Sequence, residues 1–159
     1  MLIIITGVSG SGKSEYAEQV CCRLAKDNKK YYVATMQPFG EEGRLRIEKH
    51  KRQREGKGFE TIEQYQNIGS ALDCCDKEER PVVLVECMSN LLANECFGEA
   101  GKPDDIFDGC MKLYSGCRHL VIVTNEVFSD SMTDNPEMEE YLKLLGKLNL
   151  RMGEMADLV

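Results

Sequence analysis

The chain has 159 residues, with 20 Lys and Arg against 27 Asp and Glu and a formal charge of −7. That length fits one compact domain with its own core, and the acidic balance excludes nucleic acid or an anionic lipid surface as the expected partner, so a bound anion must meet a local basic site. Eight cysteines without a C-x-x-C, two pairs of them sequence neighbours (Cys21–Cys22, Cys74–Cys75), and only two histidines leave few zinc ligands and point to free thiols in a reducing cytosol.

The first apolar run, LIIIT at 2–6, has no basic segment before it and reads as a buried strand, not a signal peptide. No stretch of the chain is long enough to span a membrane. Directly after that run, Gly7, Val8, Ser9, Gly10, Ser11, Gly12, Lys13 and Ser14 match G-x-x-x-x-G-K-[ST] without a gap. Glycines at these positions let successive N–H groups turn toward phosphate oxygens, and the following helix (12–27) adds its positive end. Lys13 then reaches the outer phosphates and the Ser14 hydroxyl faces Mg²⁺. A glycine-rich turn matching by accident is the alternative; a strand before it and a helix after it argue against that.

A second strand is expected at YYVAT (31–35) and a helix at 42–55, EGRLRIEKHKRQRE. That helix gathers Arg44, Arg46, Lys49, Lys51, Arg52 and Arg54, with Lys57 close behind, around His50. A neutral imidazole can attack phosphorus, and the cations would favour the neutral form and screen incoming phosphates. On the residues alone, a solvated charged helix is the commoner explanation.

NIGSALDCC (67–75) reads as helical, and PVVLVE (81–86) as a central strand ending in Glu86. Ligands bind at the carboxyl edge of such sheets, so Glu86 suits a Mg²⁺ shell and equally suits a cap for the helix of CMSNLL. Cys87 reads as a small buried residue. Helices at 90–97 and 105–116 precede the strand HLVIVTNE (119–126), whose Thr124, Asn125 and Glu126 reach the same edge, for function or for loop capping. The last helix spans 135–154 with Pro136 in its first turn, and ADLV (156–159) reads as an unfinished final strand. Strand and helix alternate throughout, which predicts an α/β fold with a doubly wound, mostly parallel sheet.

In order and spacing, GKSEYAE, YYVAT, RIEKHKRQR, FETIE, LVECMSNLLANECF, TNEV, GKLN (146–149) and AD (156–157) resemble the bifunctional adenosylcobinamide kinase / adenosylcobinamide-phosphate guanylyltransferase family. The resemblance implies a P-loop NTPase fold, phosphorylation of the adenosylcobinamide aminopropanol hydroxyl, and GMP transfer through a covalent guanylyl-histidine. Its R-I-x-x-H-K motif falls on Arg46, Ile47, His50 and Lys51, making His50 the acceptor. GTP contacts are implied for Ala34, Thr35, Met36, Lys51, Arg52, Gln53, Arg54, Glu63 and Glu86, with ATP an alternative donor for the kinase step. A cytoplasmic homotrimer is implied as well. Phe59 stands where the family has Trp, Phe128 where it has Gly, and Glu139 and YLK (141–143) where it carries basic residues and an F-R-D-like stretch. The family also continues past AD, so the final strand is expected to be incomplete here. Two rivals share the loop: a small-molecule or nucleoside monophosphate kinase, and a non-catalytic nucleotide-binding module. No N-K-x-D guanine motif is present, which argues against a GTPase switch.

Overall fold

A computed structural model describes residues 1–73, 75, 80–126 and 135–159. Five strands, β1 (Leu2–Gly7), β2 (Lys30–Ala34), β3 (Phe59–Glu63), β4 (Val82–Glu86) and β5 (His119–Asn125), pair in the order β1-β5-β4-β2-β3 with every neighbour parallel. Among the described residues five helices accompany them, α1 (Lys13–Ala25), α2 (Gly40–Arg54), α3 (Met88–Phe97), α4 (Ile106–Gly116) and α5 (Pro136–Met155), with α3 and α4 both between β4 and β5 and no α-helix between β3 and β4.

The unbroken apolar runs are buried on both faces, as parallel strands require. On one face Ile3, Ile5, Leu84 and Val123 meet Ala17, Cys21 and Ala25 of α1. On the other, Ile4, Val83, Val85 and Ile122 pack with Leu91 of α3, Leu113 of α4 and Leu145 of α5. Period-two alternation along each strand thus feeds two separate cores.

Two elements depart from the sequence reading. FETIE forms edge strand β3; only Phe59 and Ile62 of its five residues are partly buried, so it lacks the apolar run that marks the central strands. NIGSALDCC does not form an α-helix. A single 3₁₀ turn, Ile68–Ser70, takes its place, and Gly69 lies so close to α4 that a Cβ there would sit 3.1 Å from Gly109 Cα. Cys74 lies outside the described residues.

Asn135 caps α5 by accepting from Glu137 N (3.0 Å) and Met138 N (3.4 Å), and Pro136 occupies the first turn as expected. Beyond it the chain returns to the free edge of β1. Leu158 O accepts from Ile4 N at 2.9 Å and Asp157 Oδ2 from Leu2 N at 2.7 Å. The described cysteines are all free. No helix of the described residues is long and apolar enough to cross a membrane.

Candidate active site

All five strands run the same way, so the loops after β1, β2, β3 and β4 open on one edge of the sheet. In the loop after β1, Gly10 and Gly12 take φ of +76° and +83°, a region that disfavours any side chain. At Gly7 a Cβ would lie 3.0 Å from Ser11 Oγ, so a side chain there would press on the loop's own serine. Helix α1 begins at Lys13 on a glycine N-cap with no side-chain cap, which leaves its first-turn N–H groups available to an anion. Lys13 Nζ donates to Val8 O at 3.0 Å, curling over its own loop.

Glu86, the last residue of β4, faces that loop. Ser14 Oγ donates to Glu86 Oε1 at 2.9 Å, while Oε2 is buried without a partner. The cap alternative fails: α3 is preceded by Cys87 and carries no side-chain cap. Burial pushes the Glu86 carboxyl up to about 7, against the opposing pull of the Ser14 hydrogen bond and Lys13. An acid raised in the folded state stabilises the protein fully below its unfolded value, and that contribution is lost as pH rises toward 7. Glu86→Gln should therefore remove a decline in ligand-free stability between about pH 4.5 and 7, and exceed the wild type above pH 7 by up to about 3 kcal/mol. Parallel denaturant titrations across that range check this; an unchanged difference between the two proteins at pH 5 and pH 8 refutes it.

Helix α2 brings the basic cluster over the same edge. His50 is half-buried and its Nδ1 has no hydrogen-bond partner. Burial lowers the imidazole pKa below 6.5; Glu18 opposes this, and Arg54, Lys49 and Arg46 add to it. The ring is thus held neutral near pH 7. Arg54 is buried, stacks 4.1 Å from the Tyr32 ring centre and donates to Thr61 Oγ1 at 3.0 Å, tying the end of α2 to β2 and β3.

One cavity of about 630 Å³ joins the loop to the helix. Ser9, Gly10, Gly12, Lys13, Ser14, Ala34, Met36, His50, Lys51, Gln53, Arg54, Glu63 and Glu86 line it, as does Asn125 from the end of β5. Gly7, Val8 and Ser11 shape the loop without forming its walls. Two further nucleotide candidates do not line the cavity: Thr35 is fully buried, its one hydroxyl proton shared between Glu86 O (2.9 Å) and Cys87 O (2.8 Å), and Arg52 is exposed. Thr124 is buried against Asn149 (2.8 Å), a structural role, while Glu126 is exposed. Cys87 is buried, as its size suggested. Sequence reasoning passed over Tyr32, Tyr65 and Asn90, which also line the cavity. Tyr65 and Asn90 follow strands by only a few residues, and that position is the one signal that could have found them.

Phe128 lies outside the described residues. Glu139 pairs with Lys143 on the exposed side of α5 at 2.6 Å, so the acidic and basic residues found in place of the family pattern neutralise each other.

The profile of the family described as cobinamide kinase / cobinamide phosphate guanyltransferase matches residues 3–159. The bifunctional adenosylcobalamin biosynthesis protein CobU of Escherichia coli K12 is 28% identical over 172 residues, covering 99% of this chain and 92% of the relative. Its counterpart in Salmonella typhimurium LT2 is 27% identical over the same span. Among solved structures, the ATP synthase subunit NeqB of Nanoarcheaum equitans superposes with a TM-score of 0.54 at 14% identity, over 92% of this chain and 44% of that one. The flagellar accessory protein FlaH of Methanocaldococcus jannaschii gives 0.52 at 15% identity, over 92% and 67%. These two likenesses concern the fold alone. With a phosphate loop, an acidic strand end and a basic helix around one cavity, and a family match over nearly its whole length, the chain belongs to the cobinamide kinase / cobinamide phosphate guanyltransferase family.

Proposed function

We propose that both reactions of the family, kinase and guanylyltransferase, use this one cavity, with His50 as a covalent carrier of GMP. The observation behind this is that the two buried side-chain atoms left without a hydrogen-bond partner among the described residues, His50 Nδ1 and Glu86 Oε2, belong to residues of the same cavity. Orphaned buried polar atoms are costly and gather where a ligand completes them.

In the kinase step the loop amides and Lys13 hold the triphosphate, and the γ-phosphoryl passes to the aminopropanol hydroxyl of adenosylcobinamide, with GTP or ATP as donor. Positioning and charge stabilisation are most of what such a transfer needs. In the second reaction an imidazole nitrogen of His50 attacks the α-phosphorus of GTP. The N–P bond forms as the P–O bond to pyrophosphate breaks. A phosphate oxygen of adenosylcobinamide phosphate then displaces the imidazole, giving adenosylcobinamide-GDP and returning His50 free.

The hydroxyl of Ser14 and the unpartnered carboxylate oxygen of Glu86 are hard oxygen donors of the kind Mg²⁺ takes. Bound there, the ion would screen the phosphate charge. Without it, Glu86 is held partly protonated by burial, which is the state a cation would reverse. A homotrimer, on resemblance to the family alone, and a cytoplasmic location, from the free thiols, complete the reading.

The test is retention of label. Wild-type protein with Mg²⁺ and α-labelled GTP should keep an acid-labile, base-stable label and release one pyrophosphate per label, while γ-labelled GTP leaves none. A kinase alone, or a non-catalytic nucleotide-binding module, takes up no label from either.

A further inference from the structure

We infer that Glu18 is a positioning residue for His50, a buried carboxylate on the phosphate-loop helix that latches the histidine-bearing helix in place. This role rests on the covalent function of His50 proposed above. Glu18 has 0% exposure; among the described residues the next least exposed acidic residue is Glu95, at 6%. Burying such a group costs several kcal/mol unless charge and hydrogen bonds compensate. The compensating groups come from the last turn of α2 and the turn that follows it: Gln53 Nε2 donates to Glu18 Oε1 at 3.1 Å, and Lys57 Nζ, three residues past the helix, lies 2.6 Å from Oε2.

Helix α2 has little else to hold it. Arg54 is its one buried residue, and Leu45 stands 63% exposed. A helix without an apolar face takes its orientation from the polar contacts it makes. Those contacts flank His50 on its C-terminal side: Gln53 and Lys57 to Glu18, and Arg54 to Thr61 and Tyr32. The latch also joins the two halves of the cavity. Ser14 and Glu18 are four residues apart on α1 and therefore on one face of it. The first reaches Glu86 at 2.9 Å, and the second reaches Gln53 of α2 and Lys57 just beyond it. Lys57, which in sequence looks like one more phosphate-binding cation of the cluster, is neutralised by this carboxylate and does not line the cavity.

A displacement of about 1 Å in a reacting group can cost on the order of 10²-fold in rate, so loosening this latch should slow attack by His50 far more than phosphoryl transfer. The experiment compares wild type, Lys57→Met, Lys57→Arg and Glu18→Gln in the full chain. It follows three readouts: the rate of labelling by α-labelled GTP, phosphorylation of adenosylcobinamide, and hydrogen exchange of the amides over 48–57. Lys57→Met should label at least about tenfold more slowly and exchange those amides at least about tenfold faster, with kinase turnover within about threefold. Lys57→Arg should restore both, and Glu18→Gln should fall between, since it keeps the shape and loses the charge.

Labelling and exchange like the wild type in Lys57→Met overturn the latch. Equal loss of labelling and kinase activity overturns it too, because Lys57 would then act on the fold as a whole. Wild-type protein that takes no label overturns the covalent role of His50, and with it the need to position that ring. That outcome is distinct from a labelled wild type with an indifferent Lys57.

Discussion

His50→Ala should lose retention of α-label and formation of adenosylcobinamide-GDP by on the order of 10⁴-fold or more, the scale of removing a nucleophile, while phosphorylation of adenosylcobinamide stays within a few fold. The split follows from the site. His50 is carried on α2, whereas the loop, Lys13 and Ser14 belong to the β1–α1 junction. The ring is half-buried and its Nδ1 makes no hydrogen bond, so truncation leaves no orphaned partner and should change stability by about 1 kcal/mol or less. The pH profile carries a second signature. Attack needs the neutral ring, and burial together with Arg54, Lys49 and Arg46 lowers its pKa below 6.5. Labelling should therefore fall on acidification with a midpoint displaced to the acid side of 6.5. Equal labelling of wild type and His50→Ala would dismiss the covalent carrier.

Lys13→Ala should reduce both reactions together, by about 10²–10³-fold in kcat, as expected when one preorganised donor to a developing charge is removed. Its amine now rests on Val8 O at 3.0 Å and is only partly buried, so the loop keeps its shape without it. Thermal unfolding of the ligand-free protein should be nearly unchanged. Lys13 also helps to hold the Glu86 carboxyl down, so the variant should push that group still higher. Lys13→Arg should rescue poorly, because a planar guanidinium does not fit where a compact ammonium sits. A variant that keeps one reaction at the wild-type rate while losing the other would show that the two do not share the loop. The contrast between Lys13 and His50 is the most direct dissection of the cavity, since one should affect both reactions and the other only one.

Much of this was readable from local pattern. The phosphate loop is a contiguous motif, and four of the strands are apolar runs whose burial on both faces needs no partner to be named. Glu86 stood out because it ends one of those runs. β3 escaped because three of its five residues are polar and it sits at the sheet edge, where one side has no partner strand among the described residues. The turn at Ile68–Ser70 escaped because Gly69 is fixed by approach to Gly109, forty residues away in sequence. His50 shows the same limit. As one histidine among cations it looks solvated; its burial depends on how α2 lies on α1, and that depends on Glu18 pairing with a lysine 39 residues along. Thr35 has its expected place after β2, but the commitment of its hydroxyl to the chain after β4 is a long-range contact that local pattern does not carry.

The outer margin of β3 remains unpaired among the described residues, at the end of the sheet opposite β1. A strip of open amides and carbonyls invites a neighbouring molecule to add its own strand. Glu60 and Glu63, both exposed on this short segment, repel such a visitor. Glu63 therefore answers to two constraints at once, colloidal behaviour on the outside and the cavity wall on the inside. Replacing it with an apolar residue would act on self-association as well as on whatever the cavity holds.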